Sequence, residues 1–409
     1  MIAASQLHPP PQRFVAVSAV ALAVILFWVV LTTWVRERWC FDLAEAAVLA
    51  LGAVWAARFT LRPFTLRGSA VLIPLAGTVL IGLVQLTTAT TVNRWETWNA
   101  VLRWSVYLTA FALASQIGAS RNILTPFRRA LLYFGFALSI IAVLQFFTSP
   151  GRIFWLFDSG YNEDVIGPFV SRDRYGAFIE LIVPIALFEA LSDRRRVLFS
   201  AVMAGVMVAS VFASASRAGS ALVILESAAV LLLASWRSAG SARKLSGMFA
   251  ALLVVCILVF TSVVGWTHLW ERFKEPDPFS ARREILASTL AMARTKPWTG
   301  FGLGSFETVY PGFAVFDTGN VVDHAHDDWA EWAAEGGIPF LACLLAVAVL
   351  AAPRLVYSVW ALGVLAVWLH GIVDFPMHTP ALALWVFVML GTACAEPHAS
   401  KQTVPPSTG

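Results

Sequence analysis

Long apolar runs recur roughly every 25 to 35 residues through most of this 409-residue chain. Most of them approach the ~20 residues that an α-helix needs to cross the hydrocarbon core of a bilayer. Hydrophobic residues make up 58% of the sequence and charged residues only 13%, against roughly 25% charged in an average soluble domain. Such a chain cannot hide its apolar surface in one water-soluble core, so the sequence predicts an integral membrane protein.

The runs are continuously apolar and do not alternate with polar residues, which predicts helices rather than the strands of a barrel. We therefore expect an all-α polytopic membrane protein with about 12 transmembrane helices. The predicted spans are 14–35, 42–60, 69–89, 98–118, 127–147, 174–192, 197–214, 219–236, 246–265, 337–352, 355–373 and 380–396. No cleavable signal peptide is evident, because the first run is long enough to span and no small-residue cleavage site stands out.

The predicted helices form one membrane domain, 1–396, with two excursions at 148–173 and 266–336. The second excursion is far longer than the usual connection between helices. The tail, 397–409, is polar and contains proline, and we expect it to be disordered and cytoplasmic.

Positive charge is concentrated in alternate loops, as the positive-inside rule requires of cytoplasmic loops. Both termini then lie in the cytoplasm and 266–336 lies outside. The formal charge of +4 therefore reflects membrane topology rather than a nucleic-acid partner. The residues concerned are Arg58, Arg62, Arg67, Arg121, Arg128, Arg129, Arg194, Arg195, Arg196, Arg237, Arg243 and Lys244.

Two patterns that often mark binding sites are incomplete in this sequence. The four cysteines, Cys40, Cys256, Cys343 and Cys394, show no paired spacing, so neither a disulfide framework nor a zinc site is predicted from them. The stretch Gly300-Phe-Gly-Leu-Gly304 superficially resembles a nucleotide-binding loop. It lacks the preceding strand and the required spacing, so we reject that interpretation.

The loop 266–336 contains two predicted helices. Ser280–Lys296 carries apolar residues at helical spacing, and Gly300, Gly302 and Gly304 then predict a turn. A second helix fits 323–335, with Asp323 as N-cap and Gly336-Gly337 as its end. On that helix His324, Asp328, Glu331 and Glu335 share one stripe, whereas His326 lies on the far side among apolar residues. This placement favours His326 over His324 as the functional histidine.

The stretch His324-Ala-His-Asp-Asp328 allows three interpretations. In the preferred one, His326 is a general base, because an imidazole with a pKa near 6.5 can take a proton at neutral pH. The stretch could instead be a solvated helix start whose acids are favoured by the helix dipole. A metal site is the third interpretation, because imidazoles and carboxylates are ligands. The two histidines, however, project to nearly opposite sides of the predicted helix.

Several arginines are predicted to lie at the external ends of spans. Arg217 lies at the end of two spans, and Arg172 and Arg174 precede a third. Arginine forks bind phosphate oxygens bidentately, so these residues suit a phosphate-bearing lipid head group; anchoring to the lipid surface is the alternative. Arg282 and Arg283 could also be ordinary solvated helix charges.

Other charges are predicted within or at the ends of spans. Arg103, Glu180 and Glu226 should face the bundle interior because charge within the membrane is costly, and structural pairing is as good an interpretation as catalysis. His370, Asp374 and His378 cluster at the external end of a helix, where we expect a hydrogen-bonded polar cap.

Five motifs, in order and spacing, resemble the O-antigen ligase and polymerase superfamily of bacterial polytopic membrane proteins. His326 is followed by Asp327, nine residues and Gly337, where the family has Asn, Ser or Gln after the histidine. Phe340 also departs from the family, which has a small residue or Tyr there. The remaining motifs are Gly167-Pro-Phe-Val-Ser-Arg-Asp173, with Ser171 and Asp173 where Asn is usual; Ser216-Arg217; Arg282-Arg-Glu-Ile followed by Lys296-Pro-Trp-Thr-Gly-Phe-Gly-Leu-Gly-Ser-Phe306; and Asp374-Phe-Pro.

The resemblance implies a GT-C-like fold and an inverting, metal-independent glycosyl transfer at the periplasmic face of the bacterial inner membrane. The implied donor is an undecaprenyl-pyrophosphate-linked glycan, and the implied acceptor is a hydroxyl on lipid A core or on another surface glycan. The implied biological role is lipopolysaccharide biosynthesis, with membrane lipids as neighbours and with no cofactor and no nucleic acid.

The resemblance, together with the residues, assigns roles within the site. His326 would remove the proton of the acceptor hydroxyl, while Asp327 and Glu335 complete the catalytic set. Arginines would hold the diphosphate and stabilise its charge as it leaves, and a sugar or an imidazole would be oriented by the acidic stripe. The predicted substrate-binding residues are Arg172, Arg174, Arg217, Arg282, Arg283, His324 and Asp328, and no metal ligand is assigned.

Three alternatives remain at the level of sequence. Because Asp327 replaces the usual amide or hydroxyl, a polymerase of the same superfamily is the runner-up. A transporter or flippase would need ionisable groups near the middle of the membrane and inverted repeats, and neither is evident. A structural scaffold would leave the external His, Arg and acidic residues without a role.

Overall fold

The apolar runs fold into a bundle of helices. A computed structural model describes residues 8–160, 165–237, 251, 254–255, 257–262, 267–274, 280–315, 319 and 321–397. The α-helices are α1 (Gln12–Leu31), α2 (Trp39–Leu61), α3 (Leu72–Thr87), α4 (Arg94–Gly118), α5 (Arg121–Thr148), α6 (Arg172–Ser192), α7 (Val197–Ser214), α8 (Arg217–Arg237), α9 (Thr267–Phe273), α10 (Ser280–Thr295), α11 (Phe306–Val309), α12 (Asp328–Tyr357), α13 (Gly363–His370) and α14 (Pro380–Ala395).

Sheet structure in the described residues is confined to a short hairpin after α5. Strand β1 (Arg152–Ile153) pairs antiparallel with β2 (Phe157–Asp158), with Ile153 opposite Phe157. Single 3₁₀ turns occur at Arg194–Arg196, Tyr310–Gly312, Val359–Ala361 and Pro376–His378.

The predicted all-α polytopic class is confirmed. Within the described residues, eight helices are long and apolar enough to cross a membrane, namely α1, α2, α4, α5, α6, α7, α8 and α12. Three further apolar stretches are shorter: Leu72–Thr87, Val359–His370 and Pro380–Ala395. The predicted span 246–265 lies partly outside the described residues, as do most of the tail 397–409 and Cys256. Cys40, Cys343 and Cys394 are free thiols.

The predicted span 355–373 is wrong in extent. Helix α12 continues to Tyr357, and Ser358 then leaves the helical conformation with φ −86° and ψ 69°. The Ser358 hydroxyl donates to Glu396 at 2.5 Å, which stabilises the break. A 3₁₀ turn and the short helix α13 follow.

Helix α6 is the centre of the bundle, because most of its residues are buried and it packs on α7, α8 and α13. Helix α14, which carries no charged residue and is buried along nearly its whole length, packs along α4. At one end of α6 the buried Glu189 accepts from Arg128 at 2.7 Å and from Arg129 at 3.0 Å. The opposite end of α6 begins with Arg172-Asp-Arg174.

The glycine-rich turn after α10 is seated against α12. Gly300 has φ +62°, and a Cβ there would lie 2.0 Å from the backbone oxygen of Glu335, so no other residue fits. Gln85 of α3 fixes the same turn, donating to the backbone oxygens of Thr299 and Glu335 and accepting from the Leu303 N–H. The loop is thus tied to a membrane helix.

Helix α12 begins later than the sequence predicts and is broken at Gly337. The N-cap is Asp327, not Asp323: its backbone is extended and its carboxylate accepts from the Ala330 N–H at 2.9 Å. His326 cannot belong to the helix because its φ is +53°. Gly337 (φ 68°, ψ −174°) separates 328–336 from the apolar part of the helix, and only glycine adopts such a conformation without strain.

Candidate active site

His326 lies in a group of polar residues contributed by five separate segments. Its Nδ1 is 3.2 Å from Oδ1 of Asp374, and its side chain is 29% exposed. Asp374, which follows α13, is buried. Because an ionised carboxylate only accepts, Nδ1 carries the proton of this hydrogen bond, and in the neutral form of the imidazole Nε2 then carries the lone pair.

Arg282 of α10 reaches the same carboxylate. Its guanidinium lies 3.9 Å from Oδ1 of Asp374 and donates to the backbone oxygen of Val373 at 2.9 Å. It also pairs with Asp173 of α6 at 3.2 Å, and Asp173 accepts from the Ser216 hydroxyl at 2.6 Å. We call these five residues, His326, Asp374, Arg282, Asp173 and Ser216, the base site.

The close approach of α6 and α8 makes these contacts possible. A Cβ on Gly219 would lie 3.2 Å from the Cα of Gly176 and 2.9 Å from Oγ of Ser216. The absence of side chains at these two positions therefore lets the helix starts meet. Each helix start also carries an arginine that the sequence analysis predicts to bind substrate: Arg172 directly precedes Asp173, and Arg217 directly follows Ser216.

The electrostatics of the base site favour an ionised Asp374. Burial raises the pKa of Asp374, but the hydrogen bond from His326 and nearby positive charges, among them Arg282, outweigh burial. The pKa therefore lies below the usual value for aspartate. A carboxylate that stays ionised holds the imidazole tautomer and stabilises the imidazolium that forms when Nε2 takes a proton.

A second group of titratable residues adjoins the base site. Asp328, Glu331 and Glu335 of α12 are almost fully buried, and they face His324 and His378. His324 Nδ1 is 2.8 Å from Glu331, and His378 Nδ1 is 2.5 Å from Asp328. Burial lowers the pKa of His378, but the carboxylates of Glu331 and Asp328 outweigh it and raise the pKa to about 9. We call these five residues the carboxylate cluster.

Phe375 separates the two groups. Its ring stacks on His324 with centroids 4.5 Å apart and meets His326 edge-on at 4.9 Å. The guanidinium of Arg174 lies 4.7 Å above the same ring, as in a cation–π contact.

The remaining predicted site residues make structural contacts or lie at the edge. Asp327 caps α12, and Glu335 accepts from the Phe306 N–H at 2.9 Å. Arg283 is exposed on α10. Glu180 and His370 pair inside the bundle at 2.8 Å, and Glu226 is buried as well, so these charges face the interior as expected. Arg103 lies 3.9 Å from Glu96.

Sequence reasoning missed Asp374 as a member of the base site and His378 as a member of the carboxylate cluster. Both were expected to form a local polar cap with His370. The motif Asp374-Phe-Pro was recognised, but no local pattern indicates that its carboxylate faces His326, 48 residues earlier.

The segment that carries most of these residues is the one that matches a known family. Residues 202–345 match the family model of O-antigen ligase. The match confirms the resemblance to the O-antigen ligase superfamily, and it includes Ser216, Arg282 and His326. A search of curated proteins finds no match to the chain. At the level of the family, the O-antigen ligase match supports a multi-pass membrane protein of glycosyltransferase type, with glycans and lipids in general as substrates.

Proposed function

We propose that this protein is an O-antigen ligase-like glycosyltransferase. It transfers a glycan from an undecaprenyl-pyrophosphate carrier to a hydroxyl of lipid A core or another surface glycan. The observation that carries the proposal is the shared contact of His326 and Arg282 with Oδ1 of Asp374. An imidazole and a guanidinium are thereby held together, as proton acceptor and anion binder respectively.

The chemistry follows from the protonation states. Nε2 of His326 takes the proton of the acceptor hydroxyl as that oxygen attacks the anomeric carbon. The bond from this carbon to the diphosphate oxygen breaks, and the diphosphate leaves with the electron pair. Attack opposite to the leaving group inverts the anomeric carbon.

Arginines stabilise the charge that develops on the leaving diphosphate. Arg282 is the first of these, and Arg217, Arg172 and Arg174 lie at the adjoining helix starts. A diphosphate is a good leaving group and needs cations rather than a general acid. Arg283, being exposed, would meet the outer part of the donor.

Asp327 and Glu335 act in this proposal as positioning residues, since their carboxylates accept from backbone N–H groups. The capping role is also compatible with Asp at a position where the family has Asn, Ser or Gln, because Asp shares with Asn and Ser a preference for the N-cap. His324 and Asp328 support the segment that carries His326.

The proposed orientation places the site at the periplasmic face of the inner membrane, with both termini in the cytoplasm. It is supported by the separation of charges along α6. Arg172 to Arg174 and the base site lie at its first turn, whereas Glu189 near its other end pairs with arginines of a predicted cytoplasmic loop. Cytoplasmic loops carry the excess of arginine and lysine.

The test is transfer by the purified protein in proteoliposomes that contain lipid-linked glycan and lipid A core. Product on lipid A core supports a ligase, and extension of the lipid-linked glycan itself identifies the polymerase alternative. Loss of both reactions in His326→Ala, with His8→Ala active as a matched control, supports the base assignment. Unchanged transfer by His326→Ala would overturn it.

A further inference from the structure

Three side-chain atoms of the carboxylate cluster converge on one point. His324, Glu331 and His378 each offer one ligand atom, and these atoms lie within 4.8 Å of one another. Oε1 of Glu331 lies 2.8 Å from Nδ1 of His324 and 3.3 Å from Nε2 of His378. One carboxylate oxygen therefore faces two imidazole nitrogens, and something positive must lie among them: either two protons or one cation.

The atoms around this group hold its members in place. Asp328 is hydrogen-bonded to the other ring nitrogen of His378, Nδ1, at 2.5 Å. It also accepts from the Met377 N–H at 3.0 Å. Glu331 is fixed through its second oxygen, which accepts from the Ala325 N–H at 2.7 Å. A carboxylate on the far nitrogen of a histidine is the usual support of a metal-binding imidazole, because it sets the tautomer and raises ligand basicity.

Charge supports the same conclusion. Glu331, whose oxygen faces both imidazoles, exposes only 1% of its surface, and an ionised carboxylate so deeply buried needs a positive partner. The sequence interpretation with His324 and His326 as joint ligands does not hold, since His326 pairs with Asp374 on the other side of Phe375.

We propose that His324, Glu331 and His378 bind a divalent transition-metal ion of the zinc type, with Asp328 orienting His378. Two imidazoles and one carboxylate form a set that zinc takes, with a remaining position for water. The ion replaces the protons that the three side chains otherwise share. Its ligand His324 lies two residues before His326, so the ion holds this segment in place while taking no part in the transfer itself, which the resemblance implies is metal-independent. This last role rests on the proposed function; the binding itself does not.

Zinc binding to the purified full-length protein in detergent, after chelation and dialysis, tests the proposal. Isothermal titration should show one equivalent of Zn²⁺ and release of protons into the buffer, because ligands must be deprotonated to bind a metal. X-ray absorption should report nitrogen and oxygen ligands, two of them imidazoles.

Variants separate the two explanations of the cluster. Zinc affinity should fall by more than about 100-fold in His324→Gln and His378→Gln, and by about 10- to 100-fold in Asp328→Asn, as expected for a supporting residue. His326→Ala should bind zinc like the wild-type protein. Circular dichroism and gel filtration establish that each variant is folded.

The proposal would be overturned if the wild-type protein did not bind zinc, or if His324→Gln and His378→Gln bound zinc as tightly as the wild-type protein. Either result would leave a cluster bridged by protons. That failure is distinguishable from failure of the proposed function. The latter appears as unchanged transfer by His326→Ala, whatever the zinc titration shows.

Discussion

His324 and His326 are separated by one residue, yet they belong to different regions of the molecule. His326 lies in the base site, partly exposed, beside an ionised aspartate and a guanidinium. His324 lies in the carboxylate cluster, where its partners are buried acids of a helix. The comparison shows how one short segment serves two purposes. In the proposed function, the base must be reached by its substrate, whereas the buried network of charges fixes the segment that presents it.

The largest expected effect of a substitution is on the base. His326→Ala should lower the rate of glycan transfer by about 10²- to 10⁴-fold, the usual contribution of a general base. The initial rate of transfer in proteoliposomes measures this loss, and gel filtration checks that the variant is folded. The distinction between the two histidines would fail if His324→Ala impaired transfer as much while leaving the stability of the protein unchanged.

The carboxylate cluster should respond in stability instead. Asp328→Asn removes the buried carboxylate that holds Nδ1 of His378, which we expect to lower the free energy of unfolding by about 3 to 5 kcal/mol. Thermal unfolding in detergent gives the measurement. Asp323→Asn is the matched control, because Asp323 is exposed just before the same segment and should change stability by less than about 0.5 kcal/mol. Equal effects of the two substitutions would contradict the assignment.

The guanidinium of Arg282 is the part of the base site that we expect to bind the donor. Arg282→Lys keeps a positive charge but loses the planar fork that contacts Asp173 and the Val373 oxygen. We expect kcat/KM for the lipid-linked donor to fall by about 10²-fold, with a smaller change for the acceptor. Arg294→Lys, on the exposed last turn of α10, is the control. An Arg282→Lys enzyme with unaltered donor kinetics would remove Arg282 from the diphosphate site.

The smallest effect concerns pH. Because the folded-state pKa of Asp374 is depressed, this group contributes stability that is present above the unfolded-state pKa of about 3.9. That stability is lost as the pH falls through the folded-state value. The difference in unfolding midpoint between wild type and Asp374→Asn should therefore be constant above about pH 5 and shrink in more acidic buffers. A difference that grows on acidification would contradict the sign of the shift.

Local features of the sequence predicted much of this architecture. The helix α10 follows from apolar spacing, and the turn at Gly300 to Gly304 follows from glycines that here adopt positive φ. The arginines at the starts of α6 and α8 lie at helix ends, as the ends of the apolar runs predicted. Each of these features depends on residues that are close together in the sequence, so a sequence pattern can predict it.

The contacts that define the two regions were not predictable in the same way. Asp323 and Asp327 are both acceptable N-caps by sequence, and only the positive φ of His326 decides between them. The helical-wheel reason for preferring His326 over His324 is therefore wrong, because neither residue is in the helix. The partners of His326 and of Asp328 lie 48 and 50 residues away, and such pairings arise from packing rather than from local pattern.

Gln85 of α3 fixes the position of the glycine-rich turn relative to the helix bundle. Its amide connects an apolar helix of the bundle to both the glycine-rich turn and the last residues before the break in α12, so this part of the loop is held at one level of the bundle. In the proposed reaction, a carrier-linked sugar always presents its anomeric carbon at the same distance from its lipid anchor. A catalyst held at one level can thus accept glycan chains of any length, since only the first sugar ever needs to be measured.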